Sequence, residues 1–327
     1  MSTTTELDRR TFLGGVLAFV AWLAAGGGRA EALGSTAATS GVAAVGGSNF
    51  HHIYEDPVLR DRFFLFLQNV FHLYPEDKFQ QLIVELTATH ATDREIYEGL
   101  LARLPAIKPT LGALTYAVPA LRKQKNEMAN QSLAFLGAGA TIDGCIEIGS
   151  PGRYVSELRH HVRFAGPVWV VNDVAPTYAP VDVLERGQVG KLGTYLAMGN
   201  YDPISADVPD ASVDVVINFI GFHHCPTERL DGFVGSIRRV LRPNGRLLLR
   251  DHDATDDDMG TLVALAHDVF NAGLFLSWDE NARQVRLFRP LDEWRRYLRG
   301  MGFRPSERAI AQAHDPTRNL LLEVVKV

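Results

Sequence analysis

Hydrophobic residues between positions 49 and 140 recur at the three- and four-residue intervals of amphipathic helices. Asp56 and the proline that follows it open the first clear helix of this segment. Asp93 is predicted to be the N-cap of a later helix, and Pro105 is predicted to end it. The segment 49–140 is therefore expected to be a helical subdomain.

From Thr141 onward, short apolar runs alternate with helical patterns, which is typical of a parallel sheet covered by helices on both faces. Residues 242–245 are predicted to be a turn. The segment 141–327 is thus expected to be an α/β domain with a doubly wound, mostly parallel sheet. The predicted strands are Cys145–Ile148, Val168–Asp173, Tyr195–Met198, Val213–Phe219, Arg246–Arg250, a strand near Ala309 and Asn319–Val327.

The first 48 residues are predicted to lie outside this fold. Arg9 and Arg10 precede an apolar, glycine-rich run, and the triplet Ala30-Glu31-Ala32 offers small residues to a signal peptidase. The segment 1–32 resembles a twin-arginine export signal, and 33–48 is predicted to be a flexible linker. We expect export by the twin-arginine machinery; the alternatives are a membrane tether that leaves the domain in the cytoplasm, or a cytoplasmic protein.

The composition fits an ordinary folded globular protein, with 46% hydrophobic and 22% charged residues. The formal net charge is -5 and no long basic run is present, so no nucleic-acid partner is expected. The two cysteines, Cys145 and Cys225, do not make a disulfide framework. The sequence does not predict the oligomeric state.

Small and acidic residues follow successive predicted strands, where a doubly wound sheet binds its ligands. The first strand runs into a glycine-rich turn, which brings backbone N–H groups and a helix N-terminus to one place. Asp173 ends the second strand, and a carboxylate there suits the two hydroxyls of a ribose. Asp202 follows the third strand and can accept from an adenine amine, with its two following residues packing on the ring. The predicted cofactor-binding residues are Glu147, Gly149, Ser150, Gly152, Asp173, Asp202, Pro203, Ile204 and Asn218.

The order and spacing of these groups resemble the class I S-adenosylmethionine-dependent methyltransferases, from about Thr141 to Val327. The resemblance implies S-adenosylmethionine as the cofactor and a Rossmann-like, seven-stranded sheet whose last strand is antiparallel. The motifs that carry it are Glu-Ile-Gly-Ser-Pro-Gly at 147–152, Val-Asn-Asp at 171–173, Asp202 twelve residues before Asp214, Arg-Val-Leu-Arg-Pro-Asn-Gly-Arg at 239–246 and Gly-Met-Gly-Phe at 300–303.

The glycine turn departs from the pattern of that family. The family's turn is usually Gly-x-Gly-x-Gly, and Pro151 and Arg153 stand at two of these positions. The alternative is an NAD-dependent Rossmann oxidoreductase. It is disfavoured because Tyr154 stands where the third small residue of Gly-x-Gly-x-x-Gly belongs.

Four polar residues are predicted to line the acceptor side of the site, after the fourth and fifth strands. A histidine near the methyl group can remove a proton from the acceptor at neutral pH. Asp251 and Asp253 together with the histidines can also ligate a divalent metal, but acidic loops are common and no metal site is predicted. His267 and Asp268 are interpreted as a buried polar pair on a helix. The predicted catalytic residues are His224, His252, His223 and Asp251.

These features predict methyl transfer to an oxygen or nitrogen atom of a small-molecule acceptor, with the helical segment 49–140 as a lid. The alternative is a protein that binds the cofactor without turnover. One consideration supports that alternative: an exported protein would meet little S-adenosylmethionine outside the cytoplasm.

Overall fold

The computed structural model describes residues 47–108, 116 and 118–327. The predicted signal segment, residues 1–32, lies outside the described residues, as does all of the predicted linker before residue 47. Within the described part of the chain, no helix is both long enough and apolar enough to cross a membrane.

A seven-stranded sheet lies at the centre of the fold, with the strand order β5-β4-β2-β6-β7-β9-β8. All neighbouring strands are parallel except β9, which is antiparallel to both β7 and β8. The predicted α/β fold, with a mostly parallel seven-stranded sheet and an antiparallel last strand, is confirmed. A separate pair, β1 (Thr141–Ile142) and β3 (Arg163–Phe164), flanks it. The strands of the main sheet are β2 (Cys145–Ile148), β4 (Val168–Asn172), β5 (Thr194–Ala197), β6 (Val213–Asn218), β7 (Leu241–His252), β8 (Phe303–Ala311) and β9 (Asn319–Lys326).

Helices cover the sheet on both faces, because each face carries its own cluster of buried apolar side chains. One cluster joins the sheet to α8 and α11 through residues such as Phe233 and Trp294. The other joins it to α5 and α6 through Met128 and Leu158. The helices are α1 (Asn49–Glu55), α2 (Pro57–Phe66), α3 (Glu76–Thr87), α4 (Asp93–Ile107), α5 (Val118–Leu136), α6 (Arg153–Leu158), α7 (Pro180–Arg186), α8 (Thr227–Val240), α9 (Asp257–Gly273), α10 (Trp278–Ala282) and α11 (Leu291–Gly300), with a π-helical turn at Leu67–Phe71.

The N-terminal helices are fixed to the α/β domain by α9, the helix that follows β7. Phe63, Phe66 and Phe71 share one apolar cluster with Leu265 and Phe270 of α9. The hydroxyl of Tyr74 also donates to the carbonyl of Gly273 at 3.2 Å. This packing places α1 to α4 beside the edge of the sheet at which β7 ends.

Two details of α4 differ from the sequence-based prediction. Its N-cap is Thr92, whose hydroxyl accepts from the backbone N–H of Glu95 in a capping box. Asp93 instead accepts from the backbone N–H groups of Asn49 and Phe50 and so caps α1. Pro105 lies inside α4 rather than after it, because the buried Leu104 anchors the last turn.

Residues 242–245, predicted to be a turn before the fifth strand, form a bulge within β7. Leu241 pairs with Val213, and Arg246 pairs with Val215, so the residues between them protrude from the ladder. Asn244 has a φ of 62°, which asparagine tolerates better than most residues.

Candidate functional site

The glycine turn after β2 is held from below by a buried carboxylate. Glu147 accepts hydrogen bonds from the backbone N–H groups of Tyr154 at 3.1 Å and Val155 at 2.6 Å, and from the hydroxyl of Ser150. A negative charge is favourable at this point because it faces the N-terminus of α6. Burial raises the pKa of Glu147 to about 7, against the lowering effect of these N–H donors. Glu147 and Ser150 therefore stabilise the shape of the turn.

The turn itself is covered by side chains from neighbouring loops. Gly149 has a φ of 82°, and a Cβ placed on it would lie 2.7 Å from Cδ1 of Ile220. Gly152 has a φ of 95° and a Cβ there would lie 3.0 Å from Cβ of Leu192. Both positions thus require glycine for their backbone conformation and for the close approach of a neighbour.

A buried ion pair lies over the same turn. The guanidinium of Arg153 contacts the carboxylate of Glu185 on α7, and the two side chains are only 2% and 4% exposed. Lys125 of α5 donates to the backbone carbonyl of Glu185 at 3.2 Å. Arg153 stands where the resemblance would place a glycine. Its charged side chain is therefore packed beside the turn, in the ion pair with Glu185.

Asp173 stands one residue beyond β4 with a half-buried carboxylate. In the described part of the chain, this carboxylate has no hydrogen bond or ion pair. Burial raises the pKa of Asp173 to about 6. The hydroxyl of Tyr195 donates to its backbone carbonyl at 3.3 Å, which fixes the position of the main chain. Asp173 is thus an acceptor available for a ligand.

Asp202 and Pro203 are exposed, whereas Ile204 is buried. The carboxylate of Asp202 is 61% exposed and lies 2.5 Å from Nη1 of Arg229. Ile204 is buried in the core, with its backbone N–H donating to the hydroxyl of Ser236 at 2.9 Å, and Pro203 is exposed. An adenine amine at Asp202 would therefore have to share the carboxylate with Arg229.

Asn218 ends β6 beside the end of β2 and is fully buried. Its amide nitrogen contacts the carbonyl of Gly221 at 3.5 Å. Its side-chain oxygen has no hydrogen-bond partner among the residues that the structure describes. A buried amide oxygen without a partner is costly, so it marks a place where a ligand donor fits.

Asp251 lies beneath the loops at the end of β7 and is fully buried. Its Oδ1 accepts from Nδ1 of His223 at 2.7 Å and from the backbone N–H of His252 at 2.8 Å. Its Oδ2 accepts from the backbone N–H of Phe222 at 2.7 Å. Burial raises the pKa of Asp251 to about 6, while these N–H donors lower it. Asp251, predicted to line the acceptor mouth, thus orients His223 from below.

The predicted histidines converge at this edge of the sheet, and a further one joins them. His223 and His252 are 3% and 5% exposed, whereas His224 is half-buried and donates from Nδ1 to the carbonyl of Val285 at 3.0 Å. His267 of α9 is also buried, with its ring centroid 5.4 Å from those of His223 and His252. The sequence placed His267 on a helix but gave no sign that α9 returns across the ends of β6 and β7.

Burial favours the neutral form of His223, His252 and His267. It lowers the pKa of His252 to about 4, and it lowers the pKa values of His223 and His267 well below their usual range. His267 donates to the carbonyl of Val263 at 2.8 Å rather than pairing with Asp268. Asp268 is bound by Arg286 at 2.7 Å. The predicted polar pair on α9 is therefore buried, but its two members have separate partners.

Among the described residues, the one group placed to hold a metal ion contains neither Asp251 nor Asp253, the carboxylates considered from the sequence. Both oxygens of Asp251 are engaged by hydrogen-bond donors, as described above. Asp253 accepts from the backbone N–H of Leu291 at 2.8 Å and from Arg318 at 2.5 Å. Each carboxylate is thus already engaged at both of its oxygens.

A cavity lies between the helical layer and the ends of β7 and β9, and two of the histidines line it. Arg250 is buried there, with Nη2 donating to Gln312 at 3.2 Å and lying 3.7 Å from Asp315. The cavity is lined by both apolar and polar side chains from the helices, and by polar side chains from the sheet and its loops. Its lining includes Phe66, His72, Lys123, Arg250, His252, His267, Phe270, Gln312, Asp315 and Asn319.

The comparison with known protein families finds a match for the segment from the end of β2 into β7. Residues 148–249 match the family model described as a methyltransferase domain. The match supports methyl transfer. It also supports S-adenosylmethionine as the cofactor of this domain, whose matched part begins at the glycine turn and contains Asp173 and Asn218.

Other similarities are more distant or partial. A stretch of 105 residues, 31% of this chain, is 36% identical to a highly reducing polyketide synthase from Neocamarosporium betae, and the chain spans 3% of that protein's length. The 1,6-didemethyltoxoflavin-N1-methyltransferase of Burkholderia thailandensis is 17% identical, with a TM-score of 0.41 over 62% of this chain and 78% of the other. The S-adenosylmethionine-dependent methyltransferase SibL is 17% identical, with a TM-score of 0.47 over 76% of this chain and 75% of the other.

The residues present fit this cofactor at two points and restrict it at a third. Asp173 offers an unpaired carboxylate for hydroxyl groups, and Asn218 offers a buried oxygen for a donor. The glycine turn between them is closed by Ile220 and Leu192. Ile220 and Leu192 are therefore the side chains that would border the cofactor at this turn.

Proposed function

We propose that the protein transfers a methyl group from S-adenosylmethionine to an oxygen or nitrogen atom of a small-molecule acceptor. The observation that carries the proposal is the methyltransferase-domain match over residues 148–249. The bound cofactor would supply a methyl group already activated on a sulfonium.

On the cofactor side, the chain's contribution is binding and orientation. Asp173 would hold the ribose hydroxyls as their acceptor, and Asn218 would accept from a polar donor of the same ligand. Gly149 and Gly152 would allow the ligand to approach the backbone, while Glu147 and Ser150 keep the turn in shape. Asp202, Pro203 and Ile204 remain candidates for the adenine end.

On the acceptor side, the cavity beside β7 is the proposed binding place, with the helical segment 49–140 as its lid. Lys123 from the helices and Arg250 from the sheet give the cavity positive charge, which suits an acceptor that carries polar or anionic groups. Two histidines are the proposed bases: His224, which is more exposed than His223 or His252, and His252, which lines the cavity itself. Methyl transfer mainly requires that the acceptor atom be aligned with the methyl group, so positioning supplies most of the rate acceleration. The base adds a further part by removing the acceptor's proton.

We also propose that residues 1–32 direct export by the twin-arginine route or tether the protein to a membrane. The paired arginines and the Ala-Glu-Ala site support this. Cell fractionation with protease protection tests it: a protected protein that fractionates with the cytoplasm would contradict both versions.

The test of the function is turnover of the full-length chain with methyl-labelled cofactor and fractionated metabolite extracts. We expect label to enter a small molecule in more than one equivalent per chain. The His224→Ala variant should keep its cofactor affinity and lose ~10²–10⁴ in kcat, while His161→Ala, an exposed control, should match the wild type. Cofactor binding without any turnover on any extract would favour the non-catalytic alternative.

A further inference from the structure

Three buried histidines form a nearly equilateral triangle at the ends of β6 and β7. The ring centroids of His223, His252 and His267 are 5.2, 5.4 and 5.4 Å apart. One ring nitrogen of each lies within 4.8 Å of one ring nitrogen of the other two. No other group of this kind occurs in the described part of the chain.

Hydrogen bonds at Nδ1 fix the tautomer of all three rings. His252 donates from Nδ1 to the carbonyl of Thr317 at 2.9 Å, and His267 donates to that of Val263 at 2.8 Å. His223 donates from Nδ1 to the carboxylate of Asp251 at 2.7 Å. Since a carbonyl or carboxylate oxygen can only accept, each Nδ1 carries the hydrogen, and each neutral ring is left with a lone pair on Nε2.

These Nε2 atoms lack good donors. Within the described residues, Nε2 of His223 and Nε2 of His267 have no hydrogen-bond partner. Nε2 of His252 has only the amide nitrogen of Asn319 at 3.4 Å, which is a long contact. Three neighbouring buried rings thus each keep an Nε2 acceptor without a good donor, a deficit that a cation bound between them would satisfy.

We infer that His223, His252 and His267 bind one divalent transition-metal ion through their Nε2 atoms. Imidazole ligands suit zinc, iron, copper or nickel, and disfavour magnesium and calcium, which prefer oxygen. Metal-binding histidines usually donate their other ring N–H to a carboxylate or a backbone carbonyl, as all three do here. The nitrogen atoms, at most 4.8 Å apart, must close in by up to about 1.4 Å to reach the spacing of about 3.4 Å that tetrahedral Zn–N bonds of ~2.0–2.1 Å set.

The surroundings suit such an ion. The ring of Phe288 lies 5.2, 5.8 and 5.0 Å from the three imidazoles and shields them with an apolar surface. His252 and His267 also line the cavity beside β7. Three protein ligands leave at least one coordination position for water or substrate. That this position takes an acceptor oxygen rests on the proposed function; metal binding itself does not.

The test uses the full-length chain, purified without a histidine tag. The metal content of the protein is measured after dialysis against chelator-treated buffer, and Zn²⁺ is then titrated into the metal-free chain. We expect one equivalent to bind, and the Tm to rise with the logarithm of free Zn²⁺. His267→Ala and His252→Ala should weaken binding by at least the ~10–100-fold seen when outer-shell partners are lost. His161→Ala, which removes an exposed histidine, should bind like the wild type.

If the cluster variants fail to fold, X-ray absorption of the zinc-loaded wild type still shows whether histidines bind the metal. The expected spectrum shows a first shell of nitrogen at ~2.0–2.1 Å with the outer-shell scattering of imidazole. Oxygen-only coordination, no uptake of Zn²⁺, Co²⁺ or Ni²⁺, or an equal loss of binding in His161→Ala would overturn the inference. None of these readouts depends on methyl transfer, so failure of one proposal leaves the other standing.

Discussion

The carboxylate of Asp251 accepts a hydrogen bond of 2.7 Å from Nδ1 of His223, and both side chains are buried. This contact joins the end of β7 to the loop after β6. Gly221 makes it possible, because a Cβ there would lie 2.5 Å from Nδ1 of His223 and 2.9 Å from Oδ2 of Asp251. The relationship fixes which nitrogen of His223 is available to a ligand.

Asp251→Asn should weaken metal binding by ~10–100-fold, the usual effect of losing an outer-shell partner. If the amide turns its nitrogen toward His223, it cannot accept the proton of Nδ1, and the ring changes tautomer. Competition with a chelator of known affinity measures the loss. Asp253→Asn is the control, since Asp253 is engaged by Leu291 and Arg318 instead. Equal affinity in Asp251→Asn and the wild type would show that the carboxylate does not set the tautomer.

Cofactor affinity should depend on pH through Asp173, whose pKa is raised to about 6 by burial. The ionised form accepts from two hydroxyls, so affinity should be constant well above pH 6 and fall by up to tenfold per unit below it. The titration of Glu147, whose pKa is also raised, can add its own pH dependence of affinity. Asp173→Asn should lose the dependence that is due to Asp173 and keep the one that is due to Glu147. Calorimetric titrations between about pH 5 and 8 give the comparison. Parallel profiles for the two proteins would count against the ribose assignment.

Gly149→Ala should destabilise the protein by more than the cost of its φ alone. A left-handed φ costs an alanine ~1–2 kcal/mol, and the added Cβ would also collide with Ile220. Gly137→Ala is the matched control, since Gly137 has a φ of 86° and no atom lies within 4 Å of the place its methyl group would take. Ile220→Ala should relieve the collision, giving a coupling of ~0.5 kcal/mol or more in a double-mutant cycle of denaturant unfolding. Additive effects would mean that Ile220 does not cover the turn.

Glu185→Leu should cost ~3–5 kcal/mol of unfolding free energy, because it leaves the buried guanidinium of Arg153 without its carboxylate. Arg153→Met combined with Glu185→Leu should recover most of this loss, since a buried ion pair is readily replaced by apolar residues of similar size. Denaturant unfolding of the two single variants and the double variant measures both effects. A double variant as unstable as the worse single one would rule out a direct pair.

The sequence predicted the strand-end residues because apolar runs define where each strand stops. Asp173 and Asn218 stand at the ends of β4 and β6, and Asp251 and His252 at the end of β7. What the pattern could not predict is which side chains become buried there. Asp251 lies at the end of an interior strand of the sheet and therefore beneath the loops, rather than at an open mouth.

The sequence pattern also could not predict contacts between distant segments, because these too depend on how the elements pack. His267 meets His223 only because α9 packs against the N-terminal helices, which turns its other side toward the strand ends. The pairing of Arg153 with Glu185 depends on α7, a helix with no strong pattern of its own. Such long-range pairs are set by tertiary packing, and no local spacing encodes them.

The most direct test of the account is a calorimetric titration of the full-length chain with S-adenosylmethionine, S-adenosylhomocysteine and NADH. We expect micromolar binding of the first two and far weaker binding of NADH. Asp173→Ala should weaken S-adenosylmethionine by ~1.5–3 kcal/mol, since a charged acceptor is lost, while Asp202→Ala should lose less because Arg229 already engages that carboxylate. Tighter binding of NADH than of S-adenosylmethionine, or no binding of either sulfur cofactor, would contradict the account.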